Sequence, residues 1–242
     1  MQVITDISYL PDHGERGRLD LYLPDRAPNS PIVMVIHGGG LRALNKERMA
    51  GVSALIAEQG WAAVTPNYRL LPDHPFPAAL EDMLAAYEWI HNTDREDISA
   101  LDRTHMALLG ASAGGFLVLA AGFILGRRKV RSIVSVAGPS QRTYGTPPPE
   151  SQHDPRLFTP PVDLIGPDAP PLLATHSRND EVVDPQESTA VVETMQAAGR
   201  PAELYRYDGP GIQHGIWRND QPPLRFYEHL EATITAFLRK TL

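Results

Sequence analysis

The chain has 242 residues, enough for one α/β domain with a sizeable core, and no composition break divides it, so a single domain over 1–242 is expected. Its 22 Lys and Arg against 29 Asp and Glu leave a net charge of -7, which disfavours nucleic acid or an anionic membrane surface as partner. There are no cysteines, which excludes disulfides and thiolate metal sites.

The first residues carry neither the basic nor the apolar region of a signal peptide, and no apolar run approaches membrane-spanning length, so a cytoplasmic location is expected. Residues 3–9 and 19–23 read as two short strands around the turn-rich Pro11-Asp12-His13-Gly14-Glu15, an antiparallel start. Ile32-Val33-Met34-Val35-Ile36 is apolar without alternation, as a strand buried on both faces would be. It ends in His37-Gly38-Gly39-Gly40, and a helix is expected from Glu47 to Gln59. A strand at 62–65 leads into Pro66-Asn67-Tyr68-Arg69-Leu70, and the amphipathic stretch from Pro77 to Ile90 opens with the proline favoured at a helix start.

A strand at 104–109 runs into Gly110-Ala111-Ser112-Ala113-Gly114, and Phe116 to Leu125, apolar on all sides, reads as a central buried helix. The cations Arg127, Arg128, Lys129 and Arg131 after it complement a helix C-terminus. A strand at 132–137 precedes a proline-rich excursion from Gly138 to about Pro170, a candidate cover for the site. Strand 172–176, a helix from Pro185 to Ala198 closed by Gly199, strand 202–207 and a closing helix over 224–238 complete the chain. Strands alternating with helices at this rhythm imply a mostly parallel sheet covered on both faces.

In such a sheet, functional groups collect at the carboxyl ends of strands. The pattern G-x-S-x-G around Ser112 fits a sharp strand-to-helix turn that pushes the serine hydroxyl into the open. A serine is a poor nucleophile at neutral pH; it needs a histidine to take its proton and a carboxylate to hold that histidine in the right tautomer. His214, in the glycine-flanked loop 208–215 after the last strand, is the expected base among nine histidines. Asp180, in Ser177-Arg178-Asn179-Asp180, is the expected acid, ahead of Asp184, which precedes Pro185 and reads as a helix N-cap. His176 is expected to support the acid loop. The glycine run after His37 and the first N–H of the helix after Ser112 would bind the oxyanion, through Gly38, Gly39 and Ala113. Asn67-Tyr68-Arg69-Leu70 reads as bracing for the glycine loop, with Asp82 as the partner a charged Arg69 requires. Tyr144, His153 and Trp217 are candidates for the pocket, and equally for core or surface.

Together these motifs, with Pro170-Pro171, Val183 and His214-Gly215, resemble the HGGG branch of the α/β-hydrolases, the hormone-sensitive-lipase-like esterases. Within that branch the chain is similar to small bacterial acetylxylan and feruloyl esterases and to kynurenine formamidases. The resemblance implies the α/β-hydrolase fold, a mostly parallel central sheet with helices on both faces. With about thirty residues before the glycine loop, no large cap domain is expected. Leu41 stands where the family carries a bulky aromatic and Ala111 where a polar residue is usual, so both are expected to reshape the pocket. The implied activity is a serine carboxylesterase acting on short-chain or carbohydrate-linked acetyl or feruloyl esters. The alternatives are an arylformamidase and a hydrolase-fold protein that binds a ligand without turnover. Neither cofactor nor metal is expected, and the expected partner is a small-molecule ester; the sequence leaves the oligomeric state open.

Overall fold

Val33 and Val35 point to one side of the sheet and Ile32, Met34 and Ile36 to the other, and all five are fully buried. A strand with apolar residues on both faces must be covered on both, and that requirement organises the chain. The computed structural model describes residues 1–147, 153–209, 214–219 and 223–242. Its eight-stranded sheet comprises β1 (Gln2–Ser8), β2 (Arg18–Leu23), β3 (Pro31–Ile36), β4 (Ala62–Pro66), β5 (Asp102–Ala111), β6 (Ser132–Val136), β7 (Leu172–Ser177) and β8 (Ala202–Tyr207). The strand order is β1-β2-β4-β3-β5-β6-β7-β8. β1 pairs antiparallel with β2 and β2 with β4; every later pairing is parallel.

The helices are α1 (Ala50–Glu58), α2 (Ala78–Asn92), α3 (Glu96–Ser99), α4 (Ala113–Leu125), α5 (Gln186–Ala197) and α6 (Glu228–Thr241). Met49, Val52 and Ile56 at α1 join Leu230, Ile234 and Phe237 of α6 over one face of the sheet. Leu80 and Met83 of α2, Phe116 to Ala121 of α4 and Val191 with Met195 of α5 cover the other. Each of these side chains larger than alanine contributes about 1.5–3 kcal/mol to folding when withdrawn fully from water, offset by the entropy of ordering it. This is the α/β-hydrolase fold.

The structure departs from the sequence reading at element ends. The helix expected from Glu47 begins as a 3-10 turn, Lys46–Met49, because Lys46 is drawn inward to Asp6, Asp20 and Glu47 at 2.8–2.9 Å. The closing helix starts at Glu228 rather than Leu224, since Phe226 is taken up in an antiparallel bridge with Trp217. The proline-rich excursion contains two 3-10 turns, Pro155–Phe158 and Pro161–Leu164. Leu157 and Phe158 are buried there, Phe158 edge-on to Phe76 at 5.8 Å. Part of that excursion, 148–152, and part of the expected histidine loop, 210–213, lie outside the described residues.

Candidate active site

β5 is flanked on both sides by parallel neighbours, so its carboxyl end opens at the middle of the sheet, where α4 begins. Ser112 makes the turn with φ 57 and ψ -122, a conformation costly for a residue with a Cβ. Its N–H donates to Val136 O at 2.8 Å and its carbonyl accepts from Phe116 N–H at 3.1 Å, so both neighbouring elements hold it there. The glycines two residues either side serve close approach. A Cβ on Gly110 would lie 2.2 Å from the carbonyl oxygen of Gly114, and one on Gly114 would lie 2.3 Å from that of Ile36.

Beyond β7 and β8 the other two groups meet the serine. His214 Nε2 is 2.7 Å from Ser112 Oγ, and His214 Nδ1 is 2.7 Å from Asp180 Oδ2. The Asp180 side chain is fully buried. Burial by itself would raise its carboxyl, but hydrogen bonds from His176, His214 and the Val183 N–H outweigh that and hold it well below the usual carboxylate range. An ionised carboxylate only accepts, which fixes the protons. His214 Nδ1–H donates to Asp180, leaving the Nε2 lone pair to accept from the serine hydroxyl.

The same argument applies to His176, which is fully buried. Its Nε2 faces Asp180 Oδ2 at 3.1 Å and Val183 O at 3.0 Å, both acceptors, so Nε2 carries the proton. Nδ1 then accepts from Ser188 Oγ at 2.7 Å. Asp180 Oδ1 accepts from the N–H groups of Val182 at 2.8 Å and Val183 at 3.0 Å. Four donors converge on one carboxylate, two per oxygen. Asp184 instead accepts from Gln186 N–H at 2.9 Å on the surface, a cap for α5.

The glycine loop runs past the serine, and the backbone N–H groups of Gly38, Gly39 and Ala113 donate to no acceptor among the described residues. The loop is clamped from beneath by Tyr68. That ring stacks on His37 at 4.2 Å, and its hydroxyl donates to His37 O at 2.9 Å and Gly38 O at 3.1 Å. Asn67 Oδ1 accepts from Lys46 N–H at 2.7 Å, and Arg69 forks onto the buried Asp82 at 2.8–3.0 Å. The Asn67–Arg69 segment therefore braces the loop as its sequence suggests.

His37 itself has a measurable consequence. Burial pushes its imidazole down from 6.5 to about 4. The unfolded chain begins to bind this proton near pH 6.5 while the folded chain does not, so acidification from there favours unfolding. The loss from this residue alone is roughly 2 kcal/mol at about pH 5. Urea midpoints at pH 7 and pH 5 are expected to fall further apart in the parent than in His37→Gln. Equal separations would remove His37 as the cause.

The serine, His214, Gly38 and Ala111 line one cleft of about 320 Å³, shared with Arg48 and Trp217. Three pocket candidates, Leu41, Tyr144 and His153, lie elsewhere. Leu41 turns at φ 60 into the core, where it is 1% exposed, and Leu44 stands on the cleft wall instead. Tyr144 packs edge-on to Phe116 at 4.8 Å, off the described wall. His153 pairs with Glu81 at 2.8 Å. Sequence reasoning passed over Arg48, Leu44 and Val182, since nothing in the sequence tells which side of a turn faces a cleft. Among the described residues, no group of three or more His, Asp or Glu could hold a metal, and no helix is long and apolar enough to cross a membrane.

The sequence model of the BD-FAE family matches residues 19–144. The chain is 28% identical to the probable carboxylic ester hydrolase LipM of Mycobacterium tuberculosis over 245 aligned residues, covering 87% of this chain and 56% of that protein. It is 37% identical to Carboxylesterase 20 of Arabidopsis thaliana over 127 residues, 48% of this chain and 38% of that one. The chain thus spans about half the length of the curated relatives it matches. Among solved structures, an esterase of Pyrobaculum calidifontis superposes with a TM-score of 0.75 at 26% identity over 99% of this chain and 85% of that one. A truncated carbohydrate esterase from gut microbiota superposes with a TM-score of 0.81 at 20% identity, covering 100% of this chain and 96% of that chain.

Proposed function

The chain belongs to the BD-FAE family, whose sequence model covers just over half of it, and from that premise we propose that it is a serine carboxylic ester hydrolase of short-chain or carbohydrate-linked esters, acetyl and feruloyl groups among them. The observation that carries the reading is the unbroken chain of hydrogen bonds from Ser112 through His214 to Asp180, each link 2.7 Å. Ser112 Oγ attacks the ester carbonyl as its proton passes to His214 Nε2. The charge that builds on the carbonyl oxygen is met by the free N–H groups of Gly38, Gly39 and Ala113, which need no reorganisation because Tyr68 and the start of α4 already hold them. Collapse expels the alcohol, which takes the proton from His214 and leaves an acyl group on Ser112. Water, deprotonated by the same histidine, then releases the acid.

The preference for carbohydrate-linked esters is supported by likeness to the carbohydrate esterase from gut microbiota, and the preference for short acyl groups by the modest cleft. An arylformamidase would use the same residues, so a panel of acetate, butyrate, feruloyl and N-formylkynurenine substrates ranks the two. The reading itself is tested by a fluorophosphonate ester followed by peptide mass spectrometry. A single phosphonyl adduct on Ser112, absent from Ser112→Ala, is expected. Labelling at another residue, or none at concentrations that inhibit known serine esterases, would overturn it.

A further inference from the structure

Arg48 projects into the catalytic cleft from the turn between β3 and α1. Its backbone is pinned on both sides. Lys46 is buried and tied to Asp6, Asp20 and Glu47, and Met49 is fully buried in the core. Its guanidinium lies over the ring of Trp217, 5.9 Å from the centroid, and that ring is stacked on Phe226 at 4.9 Å. A guanidinium lying on an aromatic ring keeps its N–H edges available for a second partner.

No such partner exists among the described residues. Arg48 Nε is buried against the cleft wall and donates to no described residue, and an unpaired buried donor in a folded protein is met by ordered water, by strain or by a functional partner. The nearest carboxylate in sequence, Glu47, is committed to Lys46 at 2.8 Å. Asp180 is fully buried behind the two histidines. Nearby, Arg16 donates to Leu44 O at 2.9 Å, so the neighbouring charge has the same sign. Among the described residues that line the cleft, Arg48 is the only one with a formal charge, in a chain whose net charge is -7. The rest of the wall is glycine, apolar or aromatic apart from Ser112 and His214, and Leu44 and Val182 are among the most exposed large apolar side chains of the protein.

We infer that Arg48 is a specificity-determining residue that selects esters carrying a carboxylate, which its guanidinium binds while the ester carbonyl sits at Ser112. The inference rests on the serine-hydrolase reading and names the class of substrate for it. A cleft of about 320 Å³ brings Ser112 and Arg48 within the span of one small molecule. The guanidinium lies against an indole rather than open water, where a charge-assisted pair gains strength.

Two matched pairs of esters test it. 4-Nitrophenyl hydrogen succinate against 4-nitrophenyl pentanoate places the carboxylate on the acyl side, and 3-acetoxybenzoate against 3-acetoxybenzamide places it on the alcohol side. The charged-to-neutral ratio of kcat/KM is expected to fall at least about tenfold in Arg48→Gln for one of the pairs, the size of one charge-assisted hydrogen bond, with Arg48→Lys recovering part of it. The parent ratio should also fall as salt is raised. Calorimetric titration of the same esters into Ser112→Ala and Ser112→Ala/Arg48→Gln reports recognition without turnover, and the charged-to-neutral affinity ratio is expected to fall by a similar factor. Turnover of neutral esters with both ratios unchanged in Arg48→Gln overturns the role of Arg48 alone. Absence of turnover with the affinity ratio still falling overturns the hydrolase reading and leaves carboxylate recognition by Arg48 standing.

Discussion

Ser112→Ala is expected to lower kcat for 4-nitrophenyl acetate by at least ~10³-fold, with KM and melting temperature little changed. In the proposed mechanism the serine hydroxyl, 2.7 Å from His214 Nε2, is the group that gives up its proton, and alanine has nothing to transfer. The rest of the machinery stays. Alanine carries the same Cβ as serine, so the turn at φ 57 is no more strained, and the backbone contacts to Val136 and Phe116 do not involve the side chain. The N–H groups of Gly38, Gly39 and Ala113 still bind a carbonyl oxygen, and that accounts for whatever rate survives. The separation of kcat from KM is the diagnostic part. A general loss of folding would degrade both and lower the melting temperature, whereas removal of the nucleophile alone leaves the ester bound and unreacted. Activity within tenfold of the parent would remove Ser112 from the chemistry.

The sequence alone singled out Ser112, His214 and Asp180, the three side chains that the structure brings into one hydrogen-bonded chain, because each sits where a strand ends, and strand ends can be read from apolar runs such as Ile32 to Ile36. That Asp180 and not Asp184 stands beside His214 was also legible, since the proline after Asp184 marks a cap. The pocket was not legible. Leu41 and Leu44 are three residues apart in one loop, and only the backbone, with both residues at positive φ, decides that Leu41 enters the core while Leu44 faces the cleft. Arg48 was hidden for a different reason. In Lys46-Glu47-Arg48 a sequence shows two cations and one carboxylate, and it takes the buried cluster of Lys46 with Asp6 and Asp20 to show that Glu47 is spent and Arg48 is not. The sequence left Tyr144 open between pocket and core, because an aromatic residue after a core strand fits a ring cluster with Phe76 and Phe116, where the structure puts it, as well as it fits a pocket.

Asp180→Asn is expected to lower kcat by ~10³–10⁴-fold, while Asp184→Asn stays within about twofold of the parent. The difference follows from counting protons. Four donors converge on the Asp180 carboxylate: His214 Nδ1, His176 Nε2 and the N–H groups of Val182 and Val183. An asparagine offers one oxygen and one NH₂. If the oxygen stays with the two backbone N–H groups, the NH₂ faces two imidazole N–H groups. His214 must then move its proton to Nε2, the atom that has to accept from Ser112. If the amide flips, the NH₂ meets the N–H groups of Val182 and Val183, and the loop that carries Asp180 loses its anchor. Both arrangements leave buried donors opposed, so a stability loss of about 1–3 kcal/mol accompanies the kinetic one. Asn in place of Asp184 still accepts from Gln186 N–H as a helix cap on the surface, with no proton to misplace. The two variants measured side by side, for kcat on 4-nitrophenyl acetate and for the urea midpoint, decide between the carboxylates. A costlier Asp184→Asn would transfer the acid's role to that residue.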